Sequence, residues 1–210
     1  MKNILLTITL LGATSLTMSC ATLNGNNVGK SALTNPYQPG TLEHFQANRD
    51  YLYTYNSWVD RAAYDTLQPH ETSVTISVST QRGFLKKGDQ VIIDYPISSG
   101  KENYETPLGT YKILEKTQNK RSNVYGKIVN QFGEVLNEDA DIRETKLQPG
   151  EIFEGAEMPY WMRLTWDGIG HHVGLTPRYP ASHACIRGHH QIMPLVFDKV
   201  QLGTKVHIIQ

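Results

Sequence analysis

From residue 73 onward the chain breaks into short apolar runs. Val74, Ile76 and Val78 alternate with Thr75 and Ser77, the period-two pattern of a strand with one buried face. Lys87, Gly88 and Asp89 read as a turn, and residues 91–97 as the next strand. Residues 110–114, 160–166 and 205–209 give three more. Short strands separated by Gly, Pro and Asn clusters predict a mainly β domain. Between them, residues 117–155 are polar and charged and read as long loops or a substrate-covering insertion. The apolar stretch 191–200 predicts a helix, with Pro194 tolerated near its start. Upstream, Leu42, Phe45, Leu52, Val59 and Ala63 recur at spacings that suit one helix face. Residues 42–66 are therefore expected as one helix, within a helical extension running over 42–72. Tyr51, Tyr53, Tyr55 and Tyr64 read there as packing groups.

Residues 1–20 have a different pattern. Lys2 is followed by an apolar stretch over 4–11 and then by small and polar residues, the order of a secretory signal. The apolar run is shorter than the roughly 20 residues a spanning helix needs. Residues 21–41, with Gly25, Gly29, Pro36, Pro39, Gly40 and several asparagines, read as a flexible linker. Leu16 to Cys20 resembles a lipoprotein acceptor site, with Leu16 one place earlier than usual and Thr17 in the usual leucine position. Lipidation of Cys20 would tie the protein to a membrane; the alternative is ordinary cleavage after Ala21. Both imply an exported protein of the periplasm or cell envelope.

Composition narrows the classes. At 210 residues the chain suits one domain with a tail. Lys and Arg number 20 against 20 Asp and Glu, and removing the signal takes away only Lys2. A near-neutral chain argues against nucleic acid as partner. With 39% apolar and 19% charged residues it can bury a core. Two cysteines exclude a disulfide-rich scaffold and a four-thiolate zinc site.

The chemistry concentrates near the C-terminus, where His171, His172, His183, His189 and His190 crowd Cys185. Three readings stand side by side. Imidazole and thiolate could bind a metal, although the spacing matches no standard finger and adjacent histidines in a strand face opposite ways. The thiol could simply be buried. Or Cys185 could be a nucleophile served by a histidine base, since a nearby imidazole raises the thiolate fraction of a thiol. The third is preferred, with no metal and no cofactor called for.

The local sequence carries more. Ser182-His183-Ala184-Cys185-Ile186-Arg187 resembles the Ser-His-Gly-Cys-hydrophobic-Arg/Asn signature of L,D-transpeptidases, the YkuD-type domain. Thr106 to Tyr111 resembles that family's Thr-Pro-x-Gly entry, and Ile97 to Lys101 the segment before it. Trp161 to His172 and Tyr179 to Ser182 resemble its catalytic half. The resemblance covers most of 73–210 and none of the first 72 residues.

It implies a β-sandwich of the L,D-transpeptidase type with one or two helices, and a cysteine acyltransferase acting on peptidoglycan stem peptides, expected as a monomer. Cys185 would be the nucleophile and His172 the general base, oriented by the Val173 carbonyl rather than by an aspartate. His183 would support the thiol, with the base role open to it as a rival. The Ala184 backbone would contribute to an oxyanion hole, and Arg187 and Ser182 would contact substrate. Arg187 could instead be half of a structural salt bridge. Ala184 departs from the family's glycine, a strained choice if that backbone needs positive φ. Gly188-His189-His190 also departs from the usual run after the arginine. A hydrolase (an L,D-carboxypeptidase) and a non-catalytic wall-binding module are the alternatives.

Overall fold

The computed structural model describes residues 35–210. The expected signal, Cys20 with its expected lipidation, and most of the expected linker lie outside the described residues. Ahead of the strands come α1 (Leu42–Gln46), the two-residue strand β1 (Trp58–Val59), α2 (Arg61–Thr66) and a 3₁₀ turn (Pro69–Glu71). The strands β2 (Thr72–Ser77), β3 (Arg82–Lys87) and β4 (Gln90–Ser98) form an antiparallel meander. Next are β5 (Gly109–Lys112) and β6 (Glu115–Thr117), then β7 (Arg121–Asn130), β8 (Val135–Asp141) and β9 (Glu151–Glu157). The chain ends with β10 (Trp161–Arg163), β11 (Gly170–Val173), β12 (Ile186–Gly188), α3 (Met193–Asp198) and β13 (Lys205–Ile209).

The fold is mostly β, with curled sheets. One sheet runs β5-β13-β2-β3-β4-β12-β11-β10-β6, with β1 added to β4, and β8-β7-β9 form a second. The central strand β4 is buried on both faces from Ile92 to Ser98. Tyr95, Ile97, Leu85, Ile76 and Ile186 meet α3 residues Met193 and Val196 in one core. At about 25 cal/mol per Å² this apolar burial is the main term opposing chain entropy. Pro194 sits in the first turn of α3, where its missing N–H costs no helical bond.

Two expectations are corrected. Residues 42–66 are not one helix. Thr41 caps α1 through a bond from the His44 N–H to its hydroxyl (3.2 Å) and Asp60 caps α2 through the Ala63 N–H (3.0 Å), so the stretch contains two separate starts. Turns over 48–53 break the apolar periodicity between them. Residues 117–155 are not long loops either: β7, β8 and β9 pair as an antiparallel sheet. Its strands carry charges because many of their residues meet solvent, β8 being exposed from Val135 to Asp139. Its buried residues, Ile128, Val129 and Ala140, are too few to give a clear two-residue period.

Candidate active site

The site is built where β11 and β12 run parallel. Their register sets His171 opposite Ile186 and His172 opposite Arg187. Side chains alternate along a strand, so the two histidines leave on opposite faces. His171 enters the core and is 2% exposed. Its Nδ1–H donates to the Ile186 carbonyl at 2.8 Å, which leaves Nε2 to accept from the Tyr95 hydroxyl at 3.0 Å. Both ring nitrogens are occupied, and burial pushes His171 down to about 4. It is a structural histidine.

His172 faces the other way, into a cavity of about 360 Å³ that Cys185, His183, Ser182 and Arg187 also line. Its Nδ1 lies 2.7 Å from the Val173 carbonyl. A carbonyl only accepts, so Nδ1 carries the proton and Nε2 presents a lone pair. Burial lowers its pKa to about 4, against a smaller opposing effect of the Val173 bond. At neutral pH this imidazole is an unprotonated base.

Cys185 precedes β12 and is unpaired among the described residues. Its thiol donates to the Gly168 carbonyl at 3.7 Å. Burial pushes the thiol up, while the Gly170 N–H and the Arg187 charge favour the thiolate by less. The resting pair is therefore neutral thiol and neutral imidazole.

The turn before the cysteine is tightly held. Ala184 adopts φ +68°, the left-handed region that disfavours a side chain. Its carbonyl accepts from the Thr106 hydroxyl at 2.8 Å, and the same oxygen of Thr106 accepts from the Gly100 N–H at 2.8 Å. Gly100 has no room for a Cβ, which would meet the Tyr104 carbonyl and the Ala184 backbone. Ser182 is 1% exposed, and its hydroxyl donates to the Cys185 carbonyl. That donor is spent on backbone. Among the described residues, the N–H groups of His183, Ala184 and Cys185 have no acceptor.

His183 lies between two tyrosines. Its ring stacks on Tyr125 of β7 at 4.3 Å and 13°, and meets Tyr104 edge-on at 4.6 Å. Burial lowers its pKa, with Lys101 acting the same way. Arg187 makes no side-chain salt bridge or hydrogen bond among the described residues. Its charge is free toward the cavity that it lines. Also among the described residues, no group of three or more His, Cys, Asp or Glu side chains is arranged to hold a metal.

Sequence reasoning singled out Cys185, His172, His183, Ser182 and Arg187, and the fold brings all five to one cavity. It missed Tyr125 and Tyr104, which lie far away in sequence and carry no pattern. It quoted Thr106 as part of a motif without seeing its bond to Ala184.

The family model of the L,D-transpeptidase catalytic domain, YkuD, matches residues 71–208. The chain belongs to the L,D-transpeptidase (YkuD) family. An L,D-transpeptidase from Mycobacterium smegmatis is similar at 18% identity and TM-score 0.50, covering 67% of this chain and 59% of that one. An L,D-transpeptidase (Yku) from Stackebrandtia nassauensis aligns at 16% identity and TM-score 0.49, covering 82% and 68%. L,D-transpeptidase 1 of Mycobacterium tuberculosis aligns at 19% identity and TM-score 0.47, covering 67% and 62%. This chain thus spans about three fifths of the first of these structures. Comparison with curated proteins gives no match. The family match begins at residue 71, so α1, β1 and α2 lie outside it.

Proposed function

We propose that this L,D-transpeptidase-family domain transfers an acyl group from a peptidoglycan tetrapeptide stem to an amine, through a thioester on Cys185. The observation that carries the reading is the shared cavity of Cys185 and His172, with Nδ1 of His172 fixed on the Val173 carbonyl. Nε2 of His172 takes the thiol proton as sulfur attacks the carbonyl of the third stem residue. The tetrahedral oxyanion is received by the free N–H groups around Ala184 and Cys185, where donors of this kind are worth several kcal/mol. The intermediate collapses, the amine of terminal D-alanine takes the proton from His172, and the thioester remains. A second amine, again deprotonated by His172, attacks the thioester and regenerates the thiol. The fixed fork of Arg187 suits a substrate carboxylate or the oxyanion. We place the enzyme outside the cytoplasmic membrane, held there if Cys20 is lipidated.

The test is incubation of the protein with disaccharide-tetrapeptide followed by mass analysis. Cross-linked dimers with loss of D-alanine are expected, and Cys185→Ala is expected to be inert. Tripeptide alone would instead make the protein a hydrolase. An active Cys185→Ala variant would remove the nucleophile assignment.

A further inference from the structure

The segment outside the family match is tied to the loop that carries the nucleophile. Arg82 and Asp94 of β3 and β4 are both fully buried, with Arg82 Nε at 2.7 Å and Nη2 at 2.5 Å from one carboxylate oxygen. The N-terminal segment completes this pair. Tyr51 donates its hydroxyl to the other oxygen of Asp94 at 2.7 Å, and the Gln46 amide donates at 2.9 Å. The rings of Phe45 and Tyr51 lie 5.3 and 4.8 Å from the Arg82 guanidinium carbon. A buried pair left without these donors would be costly, so the segment is fixed in place.

Arg178 then connects the segment to the catalytic loop. It lies between β11 and β12, in the left-handed region at φ +69°. One guanidinium nitrogen donates to the Leu52 carbonyl at 2.6 Å, and the other to the Gln81 carbonyl. Gln81 is itself buried and left-handed, at φ +52°. Its side chain clamps Ser99, accepting from the Ser99 N–H at 3.0 Å and donating to its hydroxyl at 2.8 Å. The Ser99 carbonyl accepts the N–H groups of Ala181 and Ser182 at 2.9 and 3.0 Å. Ser182 in turn holds the Cys185 carbonyl. An unbroken run of hydrogen bonds leads from Leu52 to the nucleophile, through two residues in strained backbone conformations.

We propose that Arg178 is a positioning residue, which fastens the loop over 175–185 to the N-terminal segment and to Gln81 and so sets Cys185 against His172. The inference takes the cysteine–histidine pair from the function proposed above, but its test reads the thiol directly. The full chain is alkylated with iodoacetamide from pH 5 to 9, and modification of Cys185 is followed by mass. Because neutral His172 takes the thiol proton as sulfur attacks, wild type is expected to show a nearly pH-independent limb between about pH 5 and 7, which disappears in His172→Ala. In Arg178→Gln the limb is expected to vanish, leaving a simple thiol curve and a rate at pH 6.5 lower by about tenfold or more. Arg178→Lys, which keeps the charge and a donor, is expected to restore part of it.

A purely destabilising substitution would expose the thiol and raise the rate instead. Should Arg178→Gln fail to fold, Gln81→Asn serves: asparagine tolerates the left-handed backbone but is one methylene too short to clamp Ser99. Its profile is expected to change in the same way. A folded variant with the wild-type profile overturns the proposal, as does a wild type without the limb. Loss of the limb in a protein that processes no stem peptide would sustain the positioning role and sink the functional reading.

Discussion

At the scale of single residues, the adjacent histidines have opposite fates and should respond oppositely to substitution. His171→Ala opens a hole in the core and orphans the Tyr95 hydroxyl and the Ile186 carbonyl, so a loss of about 2–4 kcal/mol is expected in urea unfolding. His172→Ala, at a ring that faces the cavity, should cost less stability than His171→Ala and slow acylation by about 10²–10⁴. Both histidines are held near pKa 4 by burial, and this sets two pH effects. Activity should persist to about pH 5 and fall as His172 protonates near pH 4; a decline centred at pH 6.5 would show an imidazole of ordinary basicity. For stability, the unfolded chain binds protons near pH 6.5 that the folded state refuses until about pH 4. Unfolding therefore takes up protons between these values, and stability falls as pH drops through that window by on the order of a few kcal/mol. Denaturant midpoints at pH 7 and 4.5 check the sign. Ala184, at φ +68°, gives the third expectation. Ala184→Gly should raise stability by about 0.5–1 kcal/mol, since glycine enters the left-handed region without the Cβ penalty.

At the scale of elements, β7 contributes more to the site than its polar sequence suggests. Tyr125 carries one face of His183, and Tyr104 from the loop after β4 meets the edge, so two distant segments fix one ring. Each aromatic contact of this kind contributes about 0.5–1.5 kcal/mol. Tyr125→Ala should therefore loosen His183 and raise KM for a stem peptide more than it lowers the melting temperature. The pairing of β7 with β9 depends on close backbone approach at Gly155, where a Cβ would meet the Ser122 carbonyl. Gly155→Val should unpair the strands, with loss of amide-exchange protection confined to the small sheet. Neither dependence is visible in the sequence. The elements legible there are β2 and β13, which alternate over one buried face, and the continuous apolar runs of β4 and α3. β7 to β9 read there as long loops or a substrate-covering insertion because polar and charged residues dominate the composition.

At the scale of the whole molecule, the buried pair Arg82–Asp94 joins the N-terminal segment to the sheet that carries the candidate site. Asp94→Ala would leave a fully buried guanidinium without its counter-charge, so a loss of about 3–5 kcal/mol is expected by denaturant titration. The sequence by itself determined the β class, because alternation and turn residues are local signals. It also singled out Cys185, His183 and Arg187, which stand in one short motif, and His172 from the segment upstream of it. Only the tertiary structure decided the rest. Strand pairing assigned His171 to the core and His172 to the cavity, since a one-residue step reverses the face. Packing placed Tyr125 and Tyr104 on His183, and Arg178 on Leu52 and Gln81. Those contacts join residues tens of positions apart, which no periodicity records. They exist only once the sheet has closed and the cost of burying their polar groups is met by partners from elsewhere in the chain.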